Sequence, residues 1–325
     1  MAIKLFKPYI SWRARLYALL VLMGTEIAEG KWVKKFEYEF AKKFNKKNVV
    51  AVNSGTTALE LAYELAGLGV GDEVITPVLT CTATNIPLLR RGVKIVFADI
   101  DYDLNINIED VKKKITNKTK AIVFVHFGGN NRGLIDLKRI CRKGGITLIE
   151  DAAQAVGSDL WGIGDFTCVS LQAIKTLTSG DGGFLICRRQ EDHEKAKKLR
   201  WFGYDRDRKQ KYGDIDLTLA GYKYHMNNIS AAIGLGNLRS FDRMMAKRRK
   251  LRDFYNSLDD VVCYNWLCVQ YSRSGEQHHY RNDKYTIFKK FKTDCPIMDK
   301  MENSWRLLPY HHDITIKQAK QAYEA

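Results

Sequence analysis

The sequence has no apolar run long enough to cross a bilayer, no internal repeat and no low-complexity tract. Its nearest approach to a membrane segment is the apolar stretch at residues 16–23, which four basic residues precede. A spanning helix needs about 20 apolar residues, and residues 25–29 (TEIAE) lack the small-residue cleavage site of a secretory signal. We therefore interpret the stretch as an amphipathic helix, and we expect no membrane association.

Cysteine pairs at the C-x-x-C spacing of zinc sites are also missing. The seven cysteines, an odd number, are Cys81, Cys141, Cys168, Cys187, Cys263, Cys268 and Cys295. This pattern favours reduced thiols in a cytoplasmic protein and predicts no metal site.

Acidic residues are scarce relative to basic ones, 37 against 53, which gives a formal net charge of +16. Such a charge favours acidic partners such as phosphates, nucleic acid or a membrane surface, but it does not choose among them. Basic and acidic residues interleave in residues 188–211, as is typical of a solvated surface. Because no helix-turn-helix, finger or aromatic RNA-binding motif is recognisable, we expect no nucleic-acid partner.

The length of 325 residues and the 45% hydrophobic content suffice for one large domain, or for a large and a small one. Short β-branched runs alternate with helical stretches, and this order predicts an α/β domain with a doubly covered, mostly parallel sheet. The seven predicted strands cover residues 49–52, 73–76, 94–99, 120–126, 146–150, 167–172 and 184–187.

The composition changes after residue 252, where aromatic residues and histidines become frequent and clear periodicity is lost. We place a domain boundary near Lys250. Residues 1–250 would form the large domain with an N-terminal helical segment, and residues 251–325 a small C-terminal α+β lobe.

Ligands of such sheets bind beyond the carboxyl ends of the strands. The first motif there is residues 53–59 (NSGTTAL), between a strand and a helix whose apolar spacing ends at Gly67 and Gly69. The free N–H groups and the positive end of a helix suit a phosphate. Alternatively, the serine and threonines simply cap the helix.

Two further motifs follow strands. In residues 150–155 (EDAAQA), Asp151 could keep a protonated ring nitrogen charged, or it could cap the next helix. Gln154 could contact the same ring, or it could be a polar surface residue. In residues 170–183 (SLQAIKTLTSGDGG), Lys175 could attack an aldehyde, although most lysines are surface charges. The order of the three motifs is the one found in pyridoxal-phosphate (PLP) enzymes of the aspartate-aminotransferase fold.

Three more stretches extend this pattern: residues 30–40 (GKWVKKFEYEF), residues 71–77 (GDEVITP) and residues 221–227 (GYKYHMN). Together, the motifs resemble those of the DegT/DnrJ/StrS family of sugar aminotransferases, from about residue 8 to 240. The resemblance implies fold type I, PLP as the cofactor and a cytoplasmic homodimer with a shared active site. It also implies transfer of an amino group, from glutamate, to a nucleotide-linked keto-sugar in amino-sugar biosynthesis for polysaccharide or glycan.

The resemblance also assigns roles to residues. Lys175 would hold the cofactor as a Schiff base, Asp151 would pair with the pyridinium nitrogen, and Gln154 would lie against the ring or its phenolate oxygen. Phosphate contacts would come from Gly55, Thr56, Thr57 and Ser170, and from Lys223 or His225 of the partner subunit. Resemblance and charge together make Arg206, Arg208 and Lys209 candidates for binding the diphosphate of the substrate.

Three departures from the family pattern matter. Cys81, which the resemblance also places among the cofactor contacts, stands where the family usually has an aromatic residue that stacks on the cofactor ring. Lys223 and His225 replace the asparagine and arginine of a G-Y-N-Y-R-M segment, and the C-terminal lobe is short, matching the family only at residues 308–312. Two alternatives to a sugar aminotransferase remain open. One is a sugar dehydratase of the same fold, in which histidine typically replaces the lysine; the other is a non-catalytic relative that binds a sugar nucleotide.

Overall fold

The computed structural model describes residues 3–206 and 217–325. All seven predicted strands are present, and each end lies within two residues of its predicted position. They are β1 (Val49–Val52), β2 (Glu73–Pro77), β3 (Lys94–Ala98), β4 (Thr119–Val125), β5 (Thr147–Asp151), β6 (Phe166–Ser170) and β7 (Gly183–Cys187).

The strands form one sheet in the order β1-β7-β6-β5-β4-β2-β3. The pairs among β2, β3, β4, β5 and β6 are parallel, whereas β7 runs antiparallel between β1 and β6. Val52 and Ser170, the last residues of β1 and β6, both pair with Gly183, the first residue of β7. The carboxyl ends of β1, β5 and β6 therefore share one edge, and the predicted mostly parallel sheet is confirmed.

Helices cover both faces of this sheet. Neighbouring strand residues point to opposite faces, and in β1 Val50 packs into one apolar core while Ala51 packs into another. The described helices are α1 (Trp12–Leu22), α2 (Lys31–Lys43), α3 (Gly55–Leu65), α4 (Thr82–Arg90), α5 (Ile108–Lys114), α6 (Leu134–Gly144), α7 (Gln190–Leu199), α8 (Asn228–Leu238), α9 (Phe241–Tyr255), α10 (Pro296–Met301) and α11 (Ile316–Glu324).

The apolar stretch near the N-terminus forms α1, which packs on α8. Gly236 permits this crossing, since a Cβ there would lie 2.4 Å from the Cα of Ala14. The helix is confirmed, but its solvent side is also apolar: Leu19 is 53% exposed and Leu22 is 60% exposed. The expectation of an amphipathic helix is therefore wrong. Among the described residues, no helix is long and apolar enough to cross a membrane.

A second, three-stranded antiparallel sheet lies in the C-terminal part, with β8 (Val261–Cys263), β9 (Cys268–Tyr271) and β10 (Trp305–Leu308) in the order β10-β9-β8. Lys250 lies inside α9. That helix contributes Met244 to a core shared with the large sheet and Tyr255 to the core of the C-terminal lobe. The domain boundary near Lys250 stays a prediction, and one continuous helix crosses it.

One cysteine pair departs from the sequence expectation. Cys263 and Cys268 are direct partners in the register of β8 and β9, and the structure joins them as a disulfide. The sequence expectation of reduced thiols did not foresee this pairing, which arises because a hairpin places directly paired side chains next to each other. The free cysteines are Cys81, Cys141, Cys168, Cys187 and Cys295.

Candidate active site

The turn between β1 and α3 lies against the end of β6. A Cβ on Gly55 would lie 2.7 Å from the Cβ of Ser170, so a side chain there would collide with β6. Glycine is therefore what permits this close approach. The structure thus brings together Gly55, Thr56 and Ser170, three of the predicted phosphate contacts.

The same turn also caps α3, as the alternative interpretation held. The Ser54 hydroxyl accepts a hydrogen bond from the Thr57 amide at 3.1 Å, and the Thr57 hydroxyl donates to Asn53 at 2.8 Å. The first backbone bond of the helix runs from the amide of Ala58 to the carbonyl of Ser54. Gly55 and Thr56 thus place their amides ahead of it, where an anion can bind. The helix cap and the phosphate site use different groups, so the two roles are compatible. The hydroxyl of Thr57, a predicted phosphate contact, is engaged in hydrogen bonds within the turn.

Asp151 ends β5 and is buried. One carboxylate oxygen accepts a hydrogen bond from the Thr84 hydroxyl at 2.7 Å, and the other accepts from the Ala153 amide at 3.1 Å. Residues 152–165 contain no helix, so the alternative role of Asp151 as a helix cap is wrong. Thr84, in the first turn of α4, was not predicted as a site residue, although it follows the end of β2.

Lys175 lies in the turn after β6 and is partly buried. Its Nζ lies 3.9 Å from the ring centroid of Trp266. Burial lowers the pKa of Lys175 to about 8, although the electrostatic effects of Cys81 and Asp151 act to raise it. An appreciable fraction of this amine is therefore neutral near physiological pH, as a nucleophile requires.

Trp266 comes from the C-terminal lobe and is fully buried. Its indole N–H donates to the carbonyl of Ile174 at 3.1 Å, and its backbone N–H donates to the carbonyl of Gly128 at 2.7 Å. Phe6 stacks on the indole, with 4.9 Å between ring centroids. An aromatic surface thus reaches Lys175 from a distant part of the chain, although the local aromatic expected at Cys81 is missing.

Gln154 is buried, so the interpretation as polar surface is wrong. Its Oε1 accepts a hydrogen bond from the Gly128 amide at 2.6 Å, and its Nε2 lies 3.2 Å from the Nε2 of His279. The side chain is therefore held at both ends, between the large domain and the C-terminal lobe.

A buried network lies beside Asp151 and was also missed. Glu150 contacts the Nε2 of His126 at 2.7 Å and accepts backbone bonds from Gly162, Ile163 and Gly164. Burial raises the pKa of Glu150, but the hydrogen bonds from His126 and the amides outweigh it and leave the pKa lowered. The amide of His126 also donates to the carbonyl of Asp151 at 3.1 Å, so the network supports the strand end that carries Asp151.

The segment predicted to contact a neighbouring subunit lies beside the phosphate turn of its own chain. The Asn53 amide donates to the carbonyl of Tyr224 at 2.7 Å, and the Lys223 side chain is exposed. The His225 ring lies 3.7 Å from that of Trp201. Burial, with Lys223 and two arginines, lowers the pKa of His225 to about 4. His225 is thus uncharged at neutral pH, and only Lys223 of the two offers a positive charge.

The candidate diphosphate contacts are described only in part. Arg206 forms an ion pair with Glu29 at 3.1 Å, and its guanidinium lies 4.3 Å from the Trp201 ring centroid. Arg208 and Lys209 lie outside the described residues. Within residues 3–206 and 217–325, no group of three histidine, cysteine or acidic side chains could hold a metal ion.

The site thus combines a glycine turn after β1, a carboxylate at the end of β5 and a lysine of lowered pKa after β6. On a seven-stranded, mostly parallel sheet, this arrangement defines a fold-type-I enzyme of the PLP-dependent class. A family model confirms it by matching residues 13–303: the chain belongs to the DegT/DnrJ/EryC1/StrS aminotransferase family. The predicted family, fold and cofactor, PLP, are confirmed with it, and the residues described above fit that cofactor.

Similarities to individual proteins are consistent with this family. The chain is 34% identical over 240 residues to GDP-perosamine synthase of Vibrio cholerae, covering 72% of this chain and 64% of that protein. It is 36% identical over 242 residues to the spore coat polysaccharide biosynthesis protein SpsC of Bacillus subtilis, covering 71% and 62%. The chain therefore spans slightly less than two thirds of the length of each of these two relatives. The crystal structure of the sugar aminotransferase CalS13 from Micromonospora echinospora matches with a TM-score of 0.91 and 27% identity, covering 99% and 98%.

Proposed function

We propose that this chain is a PLP-dependent aminotransferase that transfers an amino group, from glutamate, to a nucleotide-linked keto-sugar in the cytoplasm. The observation that carries the proposal is the partly buried amine of Lys175, whose pKa is lowered to about 8, at the same sheet edge as Asp151. The names of the similar proteins, a GDP-perosamine synthase and a polysaccharide biosynthesis protein, support the sugar substrate.

Each residue has a distinct task in this proposal. When bound, PLP supplies an electron sink that acidifies the carbon bearing the transferred nitrogen. The amides of Gly55 and Thr56 and the hydroxyl of Ser170 hold the phosphate. Asp151, oriented by Thr84, keeps the ring nitrogen protonated through a charge-assisted hydrogen bond, which is stronger than a neutral one.

Lys175 acts twice. Its neutral Nζ would hold the cofactor at the aldehyde carbon, and once free of that bond the same Nζ would remove and return the proton at the reacting carbon of the substrate. Trp266 lies over Nζ and shields it from water. The net reaction would exchange the amino group of glutamate for the keto oxygen of the sugar, giving 2-oxoglutarate and the amino sugar.

Lys175 also discriminates against the sugar-dehydratase alternative, in which histidine is expected at this position. The non-catalytic alternative predicts a protein that binds a sugar nucleotide without turnover. An absorbance spectrum of the purified protein with PLP tests the class, because a lysine-bound cofactor absorbs visible light. UDP-, GDP- and dTDP-linked keto-sugars, each incubated with glutamate, test the substrate. A colourless protein that is inactive on the whole panel would favour the non-catalytic relative.

The pH dependence of cofactor incorporation provides a first prediction. Because burial lowers the pKa of Lys175 to about 8, the amine is mostly charged below that pH and mostly neutral above it. Covalent incorporation of PLP into the cofactor-free protein should therefore accelerate as pH rises towards 8, by about tenfold per pH unit below the pKa, and then level off. Stopped-flow absorbance measures this rate. A rate that kept rising to pH 10 would contradict a lowered pKa.

A shared active site provides the second prediction. A lysine point charge suits a phosphate dianion, and we propose that Lys223 of the partner subunit approaches the cofactor phosphate. Lys175→Ala and Lys223→Ala chains should each be strongly impaired alone. Mixed heterodimers should regain activity, because one of their two sites has both lysines.

Two controls make the mixing experiment decisive. Lys223→Arg retains the charge and should keep most of the activity, whereas Lys47→Ala, at an exposed lysine outside the site, should behave as wild type. Analytical ultracentrifugation gives the oligomeric state at the assay concentration. A fully active monomer would refute the shared site.

A further inference from the structure

The donor and acceptor pattern around Gln154 determines the state of a histidine in the C-terminal lobe. The Gly128 amide, 2.6 Å from Gln154, can only donate, so the atom facing it must be the carbonyl oxygen Oε1. The other end of the side chain is then the amide NH2, which can only donate. His279 Nε2, 3.2 Å from this NH2, must accept.

An accepting Nε2 requires a neutral His279 with its proton on Nδ1. The surroundings favour this neutral form. Burial, then the neighbouring His278, then Lys175 all lower the pKa of His279 well below its usual value. The rings of His278 and His279 lie 4.2 Å apart. A charged His279 would present a second donor to the Gln154 NH2 and break the contact.

We propose that His279 is a positioning residue that orients Gln154 for contact with the cofactor ring. The inference rests on the proposed function for the identity of the ring. With Oε1 engaged by Gly128 and one N–H by His279, the second N–H of Gln154 is left to donate to an oxygen acceptor, and the ring phenolate would be such an acceptor. The C-terminal lobe, where the family pattern is weakest, thereby completes the cofactor site.

Cofactor affinity tests this assignment. His279→Phe keeps an aromatic ring but removes the acceptor, and the PLP dissociation constant should rise about fivefold, the effect of one neutral hydrogen bond. The visible absorption maximum should also shift. His279→Gln, whose Oε1 can stand where Nε2 stood, should restore affinity to within about twofold of wild type. Equal losses in both variants would overturn the proposal.

Two matched variants separate orientation from packing. His278→Phe alters the neighbouring ring, which packs on Phe6 and Trp266, and should leave affinity within about twofold. In a Gln154→Ala background, His279→Phe should have little further effect, because a residue that acts only through Gln154 is not additive with it. An undiminished fivefold loss in that background would show that His279 acts by another route.

The histidine tautomer gives a readout that needs no cofactor. In cofactor-free protein labelled with ¹⁵N-histidine, the His279 ring, assigned by comparison with His279→Gln, should show a protonated Nδ1 and a bare Nε2. A protonated Nε2 would overturn the proposal even if the enzyme is active. Failure of the proposed function would instead appear as wild-type protein that binds no PLP, with the tautomer unchanged.

Discussion

Replacing Lys175 with alanine is expected to reduce amino transfer by at least about ten-thousandfold. The variant loses both the nucleophile that holds the cofactor and the group that moves the proton. Because Lys175 lies in a turn and is only partly buried, we expect the fold to persist. Steady-state kinetics with glutamate and an accepted keto-sugar measures the loss, and circular dichroism checks the fold.

A matched substitution separates this effect from a general loss of charge. Lys120 is exposed on β4, and Lys120→Ala should retain wild-type rates. The Lys175→Ala protein should still bind PLP reversibly, without the absorbance of the lysine-bound form. Turnover close to wild type in Lys175→Ala would refute the mechanism.

Replacing Asp151 with asparagine is expected to lower the turnover rate by about a hundredfold or more. The amide has nearly the same shape but no charge, so it cannot keep the ring nitrogen protonated, and removing one such electrostatic contact typically costs that much. The partly retained hydrogen bonds to Thr84 and Ala153 should preserve cofactor binding. The expected result is a coloured but slow enzyme with a shifted absorption maximum.

The control for this variant is Asp159→Asn, at an exposed aspartate a few residues further along the same loop. It should change neither the rate nor the spectrum. If Asp151→Asn also left both unchanged, the carboxylate would have only the structural role of holding Thr84 and the turn after β5. That result would remove Asp151 from the proposed mechanism while leaving the role of Lys175 intact.

The parts of the site that could be predicted are local. Four predicted site residues lie within a strand or in the turn after it, and the apolar run of each strand can be recognised in the sequence. They are Gly55, Asp151, Ser170 and Lys175. Parallel strands bring their carboxyl ends to one edge, so a correct list of strands was enough to expect these side chains to meet. The contact between Gly55 and Ser170 is the consequence that the structure adds.

Other parts required long-range packing. Trp266 and His279 lie about a hundred residues after Lys175, in a region without clear periodicity. Only the docking of the C-terminal lobe brings Trp266 to Lys175 and His279 to Gln154. The pairing of Cys263 with Cys268 is a local contact, but it depends on a hairpin that the composition did not reveal.

The sequence by itself determined the strands of the large sheet and the order of the three motifs, because both depend on short-range spacing of apolar, glycine and polar residues. The resemblance of those motifs to a known family then indicated the family. Only the tertiary structure decided which groups surround Lys175 and how Gln154 is oriented. Burial and hydrogen-bond direction are properties of atoms that meet across the fold, and no local pattern encodes them. The lowered pKa of Lys175 is the clearest case, since the burial that causes it comes partly from Trp266, in another lobe of the chain.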